Sequence, residues 1–158
     1  MHMLGRKYGY LGKDAKETFR LEHSLECFND FMAKDVIGTA TGDVTDDQQK
    51  AYGEALGKYL MDMEEMMKMA GGKYIAGDRI TIADFVCFSI VSTSWMNPAA
   101  NKKFEEACTM VLDKCPCVKA WAMLMQSENK VYLAKRVQAP LWMPKKFLIV
   151  NYVTGENF

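Results

Sequence analysis

The chain has 158 residues, with 20 Lys plus Arg balanced by 20 Asp plus Glu, a mass of 17.9 kDa and 49% hydrophobic residues. That is one domain of ordinary size with enough apolar content for a core, which argues against wholesale disorder. Zero net charge excludes the basic surplus expected of a chain whose main partner is nucleic acid or an anionic membrane.

The predicted elements are helical from the start. Asp14-Ala15-Lys16-Glu17 is a capping-box pattern, and Leu21, Leu25, Phe28 and Met32 follow on one helical face, with an end before Gly38. Thr39 to Asp46 reads as a loop. Thr45-Asp46-Asp47-Gln48 is a second capping box with acids in the first turn. Tyr52, Leu56, Tyr59, Leu60, Met63, Met66, Met67 and Ala70 then hold a helical period until Gly71-Gly72 stops it. Met61 and Met69 fall off that stripe and are available to a partner, whereas the other methionines read as core.

Tyr74 to Ile80 is a connector. Thr81 and Asp84 form a third capping box, with Ile80 and Phe85 at the hydrophobic-staple positions around it. The helix they open, to about Ser94, is apolar nearly all round and therefore central. Its Ser89, Ser92 and Thr93 can bond back to carbonyls one turn earlier. Asn97-Pro98 breaks the chain. Phe104, Cys108, Val111 and Leu112 mark a fourth helix. Pro116 starts a fifth, with Trp121, Ala122 and Met125 on its apolar face, and a short last helix covers about Glu128 to Lys135. The expected fold is all-α, a bundle of five or six helices with a non-helical C-terminal tail. In that tail Phe147 to Val153 is rich in β-formers and follows the gatekeepers Lys145-Lys146. Trp142, Phe147, Leu148, Ile149, Val150 and Tyr152 must lie on this bundle or on a partner, and are possible partner contacts.

No catalytic set is legible. Cys115-Pro116-Cys117 has the wrong spacing for a redox pair and no preceding strand. His23 lacks a positioned partner in sequence, and His2 and His23 are too remote from the cysteines to complete a zinc site. No phosphate loop, nucleophile elbow, zinc-protease or calcium-loop pattern occurs. No metal is expected. No apolar run is long enough to span a membrane. With no secretory signal read at the N-terminus, the five cysteines are expected as free thiols in the cytoplasm or another reducing compartment, not in a secreted protein.

The stretch Gly77-Asp78-Arg79-Ile80-Thr81-Ile82-Ala83-Asp84-Phe85 resembles a hallmark of the glutathione transferase superfamily, the pattern that opens the buried central helix of its C-terminal domain. Lys73 to Ala76 resembles the family's lead-in, and Leu4 to Asp14 the last N-terminal-domain helix plus linker. Cys115 to Trp121 and Tyr132 to Arg136 resemble the family's later helix start and closing segment. The resemblance covers residues 4 to 138 and implies three parts. Residues 1–13 are a remnant of interdomain helix and linker, 14–138 the helical domain, and 139–158 an apolar tail.

A full member of the superfamily carries a thioredoxin-like half of about 80 residues, a small domain, before this point. That half supplies glutathione recognition and the catalytic residue. The resemblance therefore implies no catalytic residue here, and no cofactor, with glutathione relevant only if that half exists. The helix from Leu21 to Val36 would belong to the hydrophobic-substrate wall. The face that normally packs on the missing half would need a protein partner to cover it. The expected function is a non-catalytic structural or protein-interaction subunit of a larger assembly. The alternatives are a truncated or incomplete glutathione transferase and a small-molecule binder using the old substrate wall.

Overall fold

The computed structural model describes residues 2–33, 45–97 and 102–136. Among these residues there are seven helices: α1 (His2–Tyr8), α2 (Ala15–Phe31), α3 (Asp46–Ala70), α4 (Ile82–Ser94), α5 (Lys102–Leu112), α6 (Pro116–Glu128) and α7 (Lys130–Lys135). Helices α2 to α7 are the six of the expected bundle, and α1 is the short helix before it. The loop after α2, Pro98 and the tail with Trp142, Phe147, Leu148, Ile149, Val150 and Tyr152 lie outside the described residues.

The two longest helices begin where the chain supplies an acceptor. Asp14 takes the Glu17 amide at 2.8 Å to start α2. Thr45 and Gln48 close a reciprocal box at α3, with bonds of 3.3 and 2.9 Å. The far end of α3 is closed by Gly71, at φ 72°, a left-handed position where a side chain is strained. The connector then doubles back through paired Tyr74 and Gly77 backbone bonds of 2.8 and 3.1 Å. Gly72 lies so close under the Gly77 backbone that a Cβ there would collide with it.

Helix α4 is the axis of the bundle, packing on α2, α5 and α6, while α3 packs on α2, α5 and α6 from the other side. Burial follows the expected pattern: Ile82, Ala83, Val86, Cys87, Phe88, Ile90 and Val91 of α4 are buried, and of its residues up to Thr93 only Phe85 and Ser89 are exposed. Their polar neighbours bond back along the helix, Ser92 to Ser89 O at 3.0 Å and Thr93 to the same carbonyl at 2.7 Å. On α3 the stripe from Tyr52 to Met67 is core, with Met66 partly buried, and Met61 and Met69 are exposed. On α2, Leu21 is buried and Leu25, Phe28 and Met32 are packed against the core at its margin. Phe31, which that spacing did not select, is buried and stacks on Tyr59 at 5.1 Å between ring centroids.

The segment between α1 and α2 is pinned. Tyr10 O accepts the Ile82 amide at 3.0 Å, so the linker terminates against the first turn of α4. Arg79 donates to Gly9 O at 2.9 Å, to Leu11 O, and to the buried Glu17 carboxylate at 3.2 Å. Gly5 packs against Ile82 and Leu11, where a Cβ would stand 2.8 Å from the isoleucine.

Candidate functional site

Two arrangements carry the chemistry of this bundle: a buried carboxylate at the start of α4, and an apolar end formed around α1.

Asp84 is wholly buried. Its Oδ1 accepts the Ile75 amide at 3.0 Å and the Trp121 indole N–H at 2.9 Å. Its Oδ2 accepts the Thr81 amide at 2.8 Å and the Thr81 hydroxyl at 3.0 Å. Four donors from the connector, the helix cap and α6 thus converge on one carboxylate. Burial pushes its carboxyl above the ordinary carboxylate range, and the bonds from Ile75, Thr81 and Trp121 oppose that rise. With two donors on each oxygen, the group is positioned to hold structure rather than to shuttle protons. The Phe85 ring, 37% exposed, meets Tyr10 edge-to-face at 5.3 Å, and Ile80 packs against the core from its margin.

A second buried carboxylate was not legible in the sequence. Glu64 of α3, 2% exposed, accepts the Val118 amide at 3.0 Å. Cys115 occupies the N-cap of α6 without a side-chain cap bond, and the α3 carboxylate does that work from across the interface. Lys68 stands 3.6 Å from the other Glu64 oxygen. The only local signal was a helix start with cysteine where a Ser or Asp is usual.

None of the thiols or buried phenols is prepared for nucleophilic work. All five cysteines are free. Burial pushes the Cys87 and Cys108 thiols up to about 12, and raises Cys27, Cys115 and Cys117. Burial likewise lifts the Tyr59 hydroxyl well above its ordinary value. Tyr74 is pushed up to about 12 by its bond to Glu128 at 2.6 Å. His23 is exposed, stacks on Phe19 and stands 3.9 Å from Cys27 Sγ. Its neighbour thiol is shifted away from the thiolate, the reverse of an activated pair. Among the described residues no group of three His, Cys, Asp or Glu side chains is placed to hold a metal ion, and no helix is long and apolar enough to cross a membrane.

The apolar end is the second arrangement. On α1, Met3 is 81%, Leu4 55% and Tyr8 61% exposed, and Leu4 and Tyr8 share a face by their spacing. The Arg79 and Tyr10 bonds fasten the linker that follows α1 to the first turn of α4, and Gly5 of α1 lies against Ile82. Clefts are modest. One of about 280 Å³ lies between α2 and α3 beside Cys27, Phe31, Lys58, Tyr59 and Asp62. Another of about 250 Å³ lies beside Phe19, Arg20, His23, Met66 and Met69.

The sequence matches the family described as "Glutathione S-transferase, C-terminal domain" over residues 29–136. It is 29% identical over 149 residues to S-crystallin 2 of Enteroctopus dofleini, covering 84% of this chain and 65% of that protein. It is also 29% identical over 147 residues to Glutathione S-transferase P 10 of Caenorhabditis elegans, covering 90% of this chain and 63% of that one. The chain thus spans just under two thirds of the length of these relatives. Among solved structures, the fold superposes on a monomeric glutathione S-transferase of the hookworm Necator americanus with a TM-score of 0.68 at 20% identity, covering 87% of this chain and 66% of that one. It superposes on a Nu-class enzyme of Haemonchus contortus with a TM-score of 0.66 at 23% identity and the same coverage.

Proposed function

Because the chain belongs to the glutathione S-transferase C-terminal domain family, we propose that it works as a non-catalytic helical scaffold whose α1 end is covered by another protein surface. The observation that carries this reading is the exposed apolar face of Met3, Leu4 and Tyr8, on the helix whose following linker is fastened to α4 through Arg79 and Tyr10. An exposed apolar face on a formed helix is suited to docking, since less ordering is needed when a partner arrives. The chemistry of the described residues fits: each thiol is raised away from reactivity, and the buried Asp84 carboxylate is taken up by donors from Ile75, Thr81 and Trp121. Five free thiols suit a reducing compartment such as the cytoplasm.

A second reading is favoured by the relatives' lengths. In it the surface over α1 belongs to a thioredoxin-like half of the same polypeptide, and the chain is the helical part of a glutathione transferase. Glutathione would then be a substrate held by that other half.

The experiment is mass spectrometry of the protein from its own source under native and denaturing conditions, beside a glutathione conjugation assay of the 158-residue chain. The scaffold reading expects a 17.9 kDa polypeptide held in a complex and no turnover above the uncatalysed rate. A denatured mass larger by about one small domain establishes the second reading instead. Turnover by the 158-residue chain alone overturns both. Leu4→Asp with Tyr8→Asp is expected to release the complex while leaving the helical content unchanged.

A further inference from the structure

The cleft beside Phe19 joins apolar walls to positive charge. It lies between the first half of α2, the last turn of α3 and the connector, and has a volume of about 250 Å³. Of its lining, Ser24 and Ile75 are buried and Met66 is partly buried, whereas Phe19 and Met69 are 68% and 72% exposed. The Phe19 and His23 rings stack with 4° between their planes, which gives the cleft a flat aromatic border. Two large apolar side chains therefore stand in water beside an open space, and covering them is favourable.

The charge at the cleft has one sign. Lys16 and Arg20 line it, one turn apart on α2, and no Asp or Glu does. Neither cation is in an ion pair among the described residues. Arg20 donates to Ala76 O at 3.3 Å and to Met69 O at 3.0 Å. Those carbonyls fix the guanidinium without cancelling its charge. Glu17, the acid between the two in sequence, is buried and taken by Arg79 at 3.2 Å and by the Lys13 amide at 2.6 Å.

Size decides what the cleft holds. Sites for whole small molecules run to about 300–1,000 Å³, and this cleft falls below that range. A small molecule filling it would leave the outward parts of Phe19 and Met69 in water, whereas a chain crossing the rim covers both. We propose that the cleft takes one aromatic side chain from an acidic segment of another protein, with the ring against Phe19, Met66 and Met69 and the flanking carboxylates facing Lys16 and Arg20. The aromatic anchor supplies the affinity, and the charges select the segment. No residue of α1 lines the cleft, so this docking is separate from the covering of the α1 end.

The test is a titration of the isotope-labelled 158-residue chain with the peptide acetyl-Asp-Glu-Trp-Glu-Asp-amide, followed by amide NMR shifts. Saturable shifts are expected, confined to residues 16–24 and 66–76. The same peptide with alanine in place of tryptophan is expected to bind at least about tenfold more weakly, and added salt to weaken the parent peptide several-fold. Absence of saturation at millimolar peptide, shifts centred elsewhere, or equal binding of a peptide with lysines in place of its acids overturns the proposal. So does 2-naphthoate bound as tightly as the peptide, which would make the cleft a small-molecule site. Lys16→Glu reverses one charge at an exposed position in the first turn of α2, where an acid suits the helix dipole and the fold is retained. It is expected to weaken the peptide at least about fivefold, and Phe19→Ala to do the same. An unchanged affinity in either variant overturns the proposal.

Discussion

The indole N–H of Trp121 donates to Asp84 Oδ1 at 2.9 Å, and through that bond α6 is fastened to the first turn of α4. The Trp121 ring also meets Phe88 edge-to-face at 6.1 Å, so the residue supplies packing and polarity at once. The two contributions are separable. Trp121→Phe keeps much of the ring and removes the donor, and is expected to cost about 1–2 kcal/mol, read by urea denaturation. A loss no greater than for an exposed control would show that the bond is energetically idle.

Asp84→Ala leaves four donors without an acceptor. The expected cost is about 3 kcal/mol or more, a fall in Tm of roughly 6–12 °C for a chain of this size. Asp84→Asn keeps one acceptor oxygen and turns an amide against Thr81, where two donors already point, and is expected to cost about 2 kcal/mol. An unchanged Tm for either variant would contradict the network.

The pH profile of that pair has a definite sign. A raised folded-state value means that the folded chain holds the Asp84 proton more tightly than the unfolded chain does. The stability contributed by Asp84 is then full below the ordinary carboxylate range and falls as pH rises through the raised value. The lead of wild type over Asp84→Asn is expected to narrow across that window and stay constant above it. A lead that widens with pH would mean that the four hydrogen bonds outweigh burial.

Glu64 is expected to behave as the cap of a helix to which it does not belong. Glu64→Ala strands the Val118 amide and should cost about 1–3 kcal/mol, with accelerated exchange in the first turn of α6. Glu64→Gln retains an acceptor and should recover most of that loss. If the two variants fall equally, the charge near Lys68 rather than the acceptor is what matters.

Thiol labelling discriminates the five cysteines. Cys27 and Cys117 are partly exposed, whereas Cys87, Cys108 and Cys115 are buried. Two are expected to react in the native protein, slowly because their thiols are raised, and all five after unfolding. Native labelling of Cys87, with its thiol up at about 12, would require an opening of the core.

The sequence carried the elements well because their ends are local. Asp14, Thr45 and Gly71 each act within four residues of their own position, and such spacings are visible in a string of letters. The axis role of α4 was equally plain, since a helix apolar on nearly every side has one place to go. What escaped were the long-range polar pairs. Arg79 reaches Glu17 across 62 positions and Glu64 reaches Val118 across 54. No periodicity encodes such distances, and nothing next to Glu64 in the sequence marks its distant partner. Phe31 escaped for a smaller reason: it lies beside the selected stripe on α2, and the Tyr59 ring widens the buried face to include it.

The Asp84 carboxylate also imposes an order of events on a chain that is made from its N-terminus. Its last donor, Trp121, lies 37 residues further along. At ordinary synthesis speeds of about 5–20 residues per second, α4 waits roughly 2–7 s before the indole exists. Until then Asp84 Oδ1 lacks one of its two donors. The centre of the bundle is thus closed by a residue made after α2 to α5, the helices that surround it.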